Sequence, residues 1–124
     1  GYNVIVGNAL LIIAILFFLY SLNNLIKSYR IHGWLWPYEK ELTVYQYDIL
    51  CDILKTFHKE PSAVMSNYRE MTVHWIKRKK THYCNLIVTI GALGMLEVKV
   101  CTKSSTVTLG TVRARSLKRI YRDL

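Results

Sequence analysis

With 124 residues the chain has room for one domain and no more once an anchor is subtracted. The net charge is +9 and it is lopsided: residues 1–68 carry five basic and five acidic side chains, residues 69–124 twelve and three. Three cysteines, Cys51, Cys84 and Cys101, are odd in number and widely spaced, which argues against a disulfide framework and for buried free thiols.

From Val4 to Leu22 the sequence VIVGNALLIIAILFFLYSL has no charge, and thirteen of its nineteen residues are Val, Ile, Leu or Phe. A helix of that length reaches about 28 Å, close to a hydrocarbon core of roughly 30 Å. At about −0.3 to −0.6 kcal/mol per apolar residue, insertion gains roughly 4–8 kcal/mol. A transmembrane helix is predicted, within an anchor over residues 1–30. A cleaved signal peptide fits poorly, because no basic residue precedes the run and Asn23-Asn24-Leu25-Ile26-Lys27 follows it in place of a small-residue cleavage site.

Lys27, Arg30 and Lys40 lie on the C-terminal side of the span and no cation precedes it. The positive-inside tendency then puts the N-terminus outside an inner or plasma membrane and the remaining residues in the cytoplasm. The chain starts on Gly1, which admits a preceding segment, and the orientation follows if that segment is not basic. Residues 31–42 contain Trp34, Trp36 and Tyr38, amphipathic rings that suit the head-group layer, where Lys27 and Arg30 can also extend their charged ends. They are expected to form an interfacial segment that turns away from the bilayer at Gly33 and Pro37, the alternative being that these rings pack on the domain.

Residues 43–124 are expected to form a small basic α+β domain. Thr43 and Gln46 have capping-box spacing, and Tyr47, Leu50, Leu54 and Phe57 recur at helical intervals. Pro61 closes this amphipathic helix, with a short helical turn expected between Pro61 and Tyr68. From Met71 the period falls to two. Met71, Val73 and Trp75 mark one strand, and Cys84, Leu86, Val88 and Ile90 a second. Gly91 and Gly94 mark a break before Leu96, Val98 and Val100, and a turn at Lys103-Ser104-Ser105 precedes a strand over residues 106–115. Val107, Leu109, Thr111 and Arg113 should share one side of it. Residues 116–124 read as a short basic helix. The fold expected is one helix on an antiparallel meander of about four strands. Residues 84–96 reach only about 20 Å as a helix, too short for a second span.

The strongest local feature is Lys77-Arg78-Lys79-Lys80, flanked by His74, Trp75, His82 and Tyr83. A second basic set, Arg113, Arg115, Lys118, Arg119 and Arg122, lies near the C-terminus. Such cations suit anionic lipid, at about 1 kcal/mol per residue near a charged bilayer, or an acidic partner subunit. Basic residues beside aromatic rings also suit nucleic acid, a weaker fit beside a bilayer. A solvated turn explains the tetrad equally well. No metal or other cofactor is expected: His82 and Cys84 lack the paired spacing of structural zinc sites. No nucleophile, paired-carboxylate or phosphate-loop motif is present, so no catalytic residue is expected. Cys51 and His58 are seven residues apart, about 10 Å of helical rise, too far for a nucleophile and its base.

The leading expectation is a non-catalytic, single-pass scaffold or accessory subunit of a membrane complex, with membrane lipid and other subunits, or copies of itself, as partners. The alternatives are a membrane-tethered module for nucleic acid or a nucleotide, and a small membrane-active toxin, lysis or immunity-type protein.

Overall fold

The computed structural model describes residues 1–91 and 95–124. Helix α1 (Tyr2–Leu35) opens the chain and a 3₁₀ turn (Trp36–Glu41) follows it. Next come α2 (Val44–Phe57), β1 (Ala63–Ser66), β2 (Met71–Arg78), β3 (Tyr83–Ile90), β4 (Leu96–Cys101), β5 (Thr106–Val112) and α3 (Ala114–Asp123). The five strands form one antiparallel sheet in the order β1-β2-β3-β4-β5. The class is α+β, as expected. Gly94, expected to help break the strands, lies outside the described residues.

The sheet has five strands where the sequence suggested four. β1 is the addition, and it replaces the helical turn expected between Pro61 and Tyr68. Four residues hold too few repeats to display a period of two, so pairing is what makes this segment a strand. Val64 stands opposite Val73, and Ser62 extends the ladder by donating its N–H to the His74 carbonyl at 2.7 Å. The β1–β2 turn is closed by Asn67, whose Oδ1 accepts the N–H groups of Arg69 and Glu70, both at 2.9 Å.

Rows of side chains cross one face of the sheet in register. Val73, Val88 and Val98 form one row, Met71, Ile90 and Leu96 a second, and Trp75, Leu86 and Val100 a third. All nine are buried, and α2 covers them with Leu50, Ile53, Leu54 and Phe57, while α3 adds Leu117. The next row is Lys77 opposite Cys84, where the apolar face gives way to charge.

The face expected for the last strand is corrected by a bulge. Val98 pairs with Gly110 and Lys99 with Thr108, which leaves Leu109 without a partner and shifts the alternation by one. Val107 opposes Val100 and Val112 opposes Leu96, on the core side, whereas Thr111 opposes Glu97 on the other side. Gly110 has φ +83°, a conformation that side chains with a Cβ rarely adopt.

The capping box at α2 is present: Gln46 N–H donates to Thr43 Oγ1 and Thr43 N–H to Gln46 Oε1, both at 3.1 Å. Gln46 is itself buried and its Nε2 donates to the Asn67 carbonyl at 2.8 Å, which ties the start of α2 to the β1–β2 turn.

Helix α1 is 34 residues, about 50 Å, and its apolar stretch is exposed throughout. It is long and apolar enough to cross a membrane. It does not bend at Gly33 but runs on to Leu35, because Ile31 and Leu35 are buried in the domain core. Their burial offsets the roughly 1 kcal/mol that one helical glycine costs. The chain turns at the 3₁₀ segment, with Pro37 in its first turn.

Candidate anion-binding cleft

Helix α3 begins at the N-cap Arg113 and places Arg115, Lys118, Arg119 and Arg122 at intervals of three, one and three. At 3.6 residues per turn these four form one stripe. The opposite stripe, Leu117, Ile120, Tyr121 and Leu124, packs on the core. Docking through Leu117 and Tyr121 therefore fixes where the cations stand.

Lys77 comes from β2. Its Nζ donates to the carbonyls of Tyr121 at 3.0 Å and Arg122 at 3.1 Å, at the C-terminal end of α3, where the helix dipole favours a cation. The same Nζ lies 5.2 Å from the centre of the Tyr121 ring, and Lys59 Nζ lies 5.0 Å from that centre. Phe57 holds Tyr121 edge-on at 5.6 Å and Trp75 edge-on at 5.0 Å. Trp75 in turn donates its indole N–H to the Lys59 carbonyl at 2.9 Å. An aromatic chain thus carries the core out to two ammonium groups.

A cleft of about 690 Å³ opens between the end of α2, β2 and α3. Its lining holds the cations Lys59, Lys77, Arg115, Lys118, Arg119 and Arg122, together with Phe57, His58 and Tyr121, and no acidic side chain. His58 also lines two adjoining hollows. One, of about 290 Å³, includes Arg30, Trp34 and Glu60, and the other, of about 320 Å³, includes Lys27 and Lys55. His58 ends α2 in the left-handed conformation, φ 53°, and its ring lies 5.4 Å from that of Trp34. Burial, and then the charges of Lys27, Arg30 and Lys118, hold its imidazole below the ordinary histidine pKa.

The residues predicted from sequence are thereby sorted. Lys27, Arg30 and Trp34, expected at a membrane interface, border the hollows that meet at His58. Tyr38 packs against the core, and Trp36 is 76% exposed. Lys77, Arg115, Lys118, Arg119 and Arg122 come together in the cleft. Arg78, Lys79, Lys80 and Arg113 do not line it. Arg78 and Lys77 are neighbours on a strand and so face opposite sides of the sheet, while the Lys79 N–H donates to the His82 carbonyl to close the β2–β3 turn.

Sequence reasoning missed His58, Lys59 and Tyr121 as parts of this site. The intervals of the α3 cations were a legible signal for the stripe, but nothing local places the end of α2 beside it. The sole salt bridge among the described residues, Arg122 to Asp123 at 3.4 Å, is exposed and contributes little. The described residues also contain no group of three His, Cys, Asp or Glu side chains placed to hold a metal ion.

No family model, no curated protein and no solved structure matches this chain.

Proposed function

We infer that the chain is a non-catalytic, single-pass membrane protein whose basic domain docks on anionic lipid at the foot of its own anchor, as an accessory subunit of a membrane assembly. The observation that carries this reading is the continuity of α1. One helix runs from the exposed apolar stretch through Lys27 and Arg30, which border the hollows at His58, into Ile31 and Leu35, which are buried in the domain. Lys27 is the first cation after the apolar run. At 1.5 Å per residue, it and Arg30 stand about one turn apart and within reach of head groups. With no flexible segment between anchor and domain, the basic hollows are held next to the bilayer rather than free to search solution. Lys27 and Arg30 just after the apolar run support a domain on the cytoplasmic side of an inner or plasma membrane, by the positive-inside tendency.

Alkaline carbonate extraction and vesicle flotation test this. The full chain should remain in the membrane fraction at alkaline pH, and its domain should be open to protease from the cytoplasmic side. Release by carbonate would overturn the anchor. Purification in mild detergent should bring one or more membrane proteins at fixed ratio, and a monodisperse monomer without companions would overturn the subunit role.

A further inference from the structure

We propose that the cleft between α3 and the end of α2 is a binding site for a ligand carrying at least two phosphate groups, either the head group of a membrane lipid or a soluble polyphosphorylated compound. This deepens the docking reading above and rests on it only for the cleft's place beside a bilayer.

The cleft carries cations without matching carboxylates in its lining. Lys59, Lys77, Arg115, Lys118 and Arg119 line the cleft, and no carboxylate among the described residues forms a salt bridge with any of them. Like charges three and four residues apart on a helix repel, and α3 holds several such pairs on one stripe. A bound anion relieves that repulsion. A single phosphate brings at most two negative charges at neutral pH, short of what five cations can neutralise. Two or more phosphates match the set better.

An ammonium has three protons, and Lys77 uses two on α3 carbonyls, which leaves one for a ligand. Lys77 is therefore placed before anything binds. Arg115 and Arg119 each present a planar fork suited to two phosphate oxygens. The volume, about 690 Å³, lies in the range of small-molecule sites. Nucleic acid is disfavoured, because the rings that would stack on bases are already engaged. Tyr121 carries two ammonium groups and packs on Phe57.

The test uses the full chain in lipid nanodiscs. One arm titrates pyrophosphate into phosphatidylcholine discs by calorimetry. The other measures, by native mass spectrometry, retention of a two-phosphate diphosphatidylglycerol lipid against one-phosphate phosphatidylglycerol at matched lipid charge. Two triple variants, each losing three charges, are compared: Lys59→Gln/Lys118→Gln/Arg119→Gln in the cleft and Arg78→Gln/Lys79→Gln/Lys80→Gln at the β2–β3 turn. Near-UV circular dichroism of the tryptophans checks that each folds, and the single variant Arg119→Gln serves if the cleft triple does not.

The expected result is tighter binding of the two-phosphate probe, weakened about tenfold or more per cation removed from the cleft and nearly unchanged in the turn variant. Retention of the two-phosphate lipid, with or without pyrophosphate binding, identifies a head group; binding of pyrophosphate without retention of that lipid identifies a soluble ligand. Equal loss in both variants, loss only in the turn variant, or no preference for two phosphates over one would overturn the cleft. In those cases docking on anionic lipid would still stand. An oligonucleotide that binds more tightly than pyrophosphate, through the same cleft residues, would also overturn it. A chain that binds pyrophosphate but ignores anionic discs would leave the cleft standing and sink the lipid-docking reading.

Discussion

At the scale of single residues, His58 and Gln46 show how position changes chemistry. His58 sees Lys27 and Arg30 from α1 and Lys118 from α3, and Lys55, Lys59 and Glu60 line the same hollows. Its folded imidazole binds a proton more weakly than the unfolded one, whose pKa is about 6.5. As pH falls through that value, protons therefore go preferentially to the unfolded chain and stability drops. Chemical-denaturation midpoints should fall between about pH 7.5 and about pH 5.5, and by less in His58→Asn, a residue that tolerates the left-handed conformation. An identical pH dependence in the variant would remove His58 as the cause. Gln46 holds both the capping box and the β1–β2 turn. Gln46→Ala should cost about 1–3 kcal/mol in thermal or denaturant unfolding, more than a cap alone, because the Asn67 carbonyl also loses its donor.

At the scale of elements, α3 depends on a single fully buried anchor. Leu117 is its only buried residue, with Ile120, Tyr121 and Leu124 packed half-buried beside it. Leu117→Ala should cost roughly 2–5 kcal/mol and loosen α3, seen as faster tryptic cleavage after Arg115 and Lys118 than in the parent chain. Unchanged cleavage would mean that the Lys77 hydrogen bonds suffice to seat the helix. The bulge in β5 makes a second prediction at this scale. Gly110→Val places a β-branched residue at φ +83°, a strain of about 1–3 kcal/mol measurable as a lower denaturation midpoint. The space around Gly110 is open, so the penalty is conformational and not steric crowding by neighbours.

At the scale of the whole molecule, one continuous helix joins the exposed apolar run of α1 to the domain core through Ile31 and Leu35. A charge placed at Ile13, mid-way along the run, should cost roughly 3–4 kcal/mol of insertion for Ile13→Arg, the penalty of the cation plus the lost gain of the isoleucine. More of the variant should then appear in the carbonate-soluble fraction, with the domain itself still folded. The layers of that domain were largely readable. The capping box, the Leu50/Leu54/Phe57 stripe and the alternation in β2, β3 and β4 are local patterns, and local patterns survive in a sequence. β1 was not readable, because its identity as a strand comes from pairing with β2. The face of β5 was misread because a bulge leaves no mark in hydropathy beyond one glycine.

The sequence by itself determined the apolar span, the class of fold and the concentration of charge in the second half, since each depends on composition or on a period within one segment. It also contained the stripe on α3, written in the intervals of Arg115, Lys118, Arg119 and Arg122. Only the tertiary structure decided which cations meet. It separated Lys77 from Arg78, Lys79 and Lys80, which are adjacent in the chain but diverge through strand alternation and a turn. It joined Lys77 to Lys59 and α3 across gaps of eighteen residues or more, through the packing of Phe57, Trp75 and Tyr121. Hydropathy and charge are properties of neighbours along the chain, whereas a cleft is a property of neighbours in space.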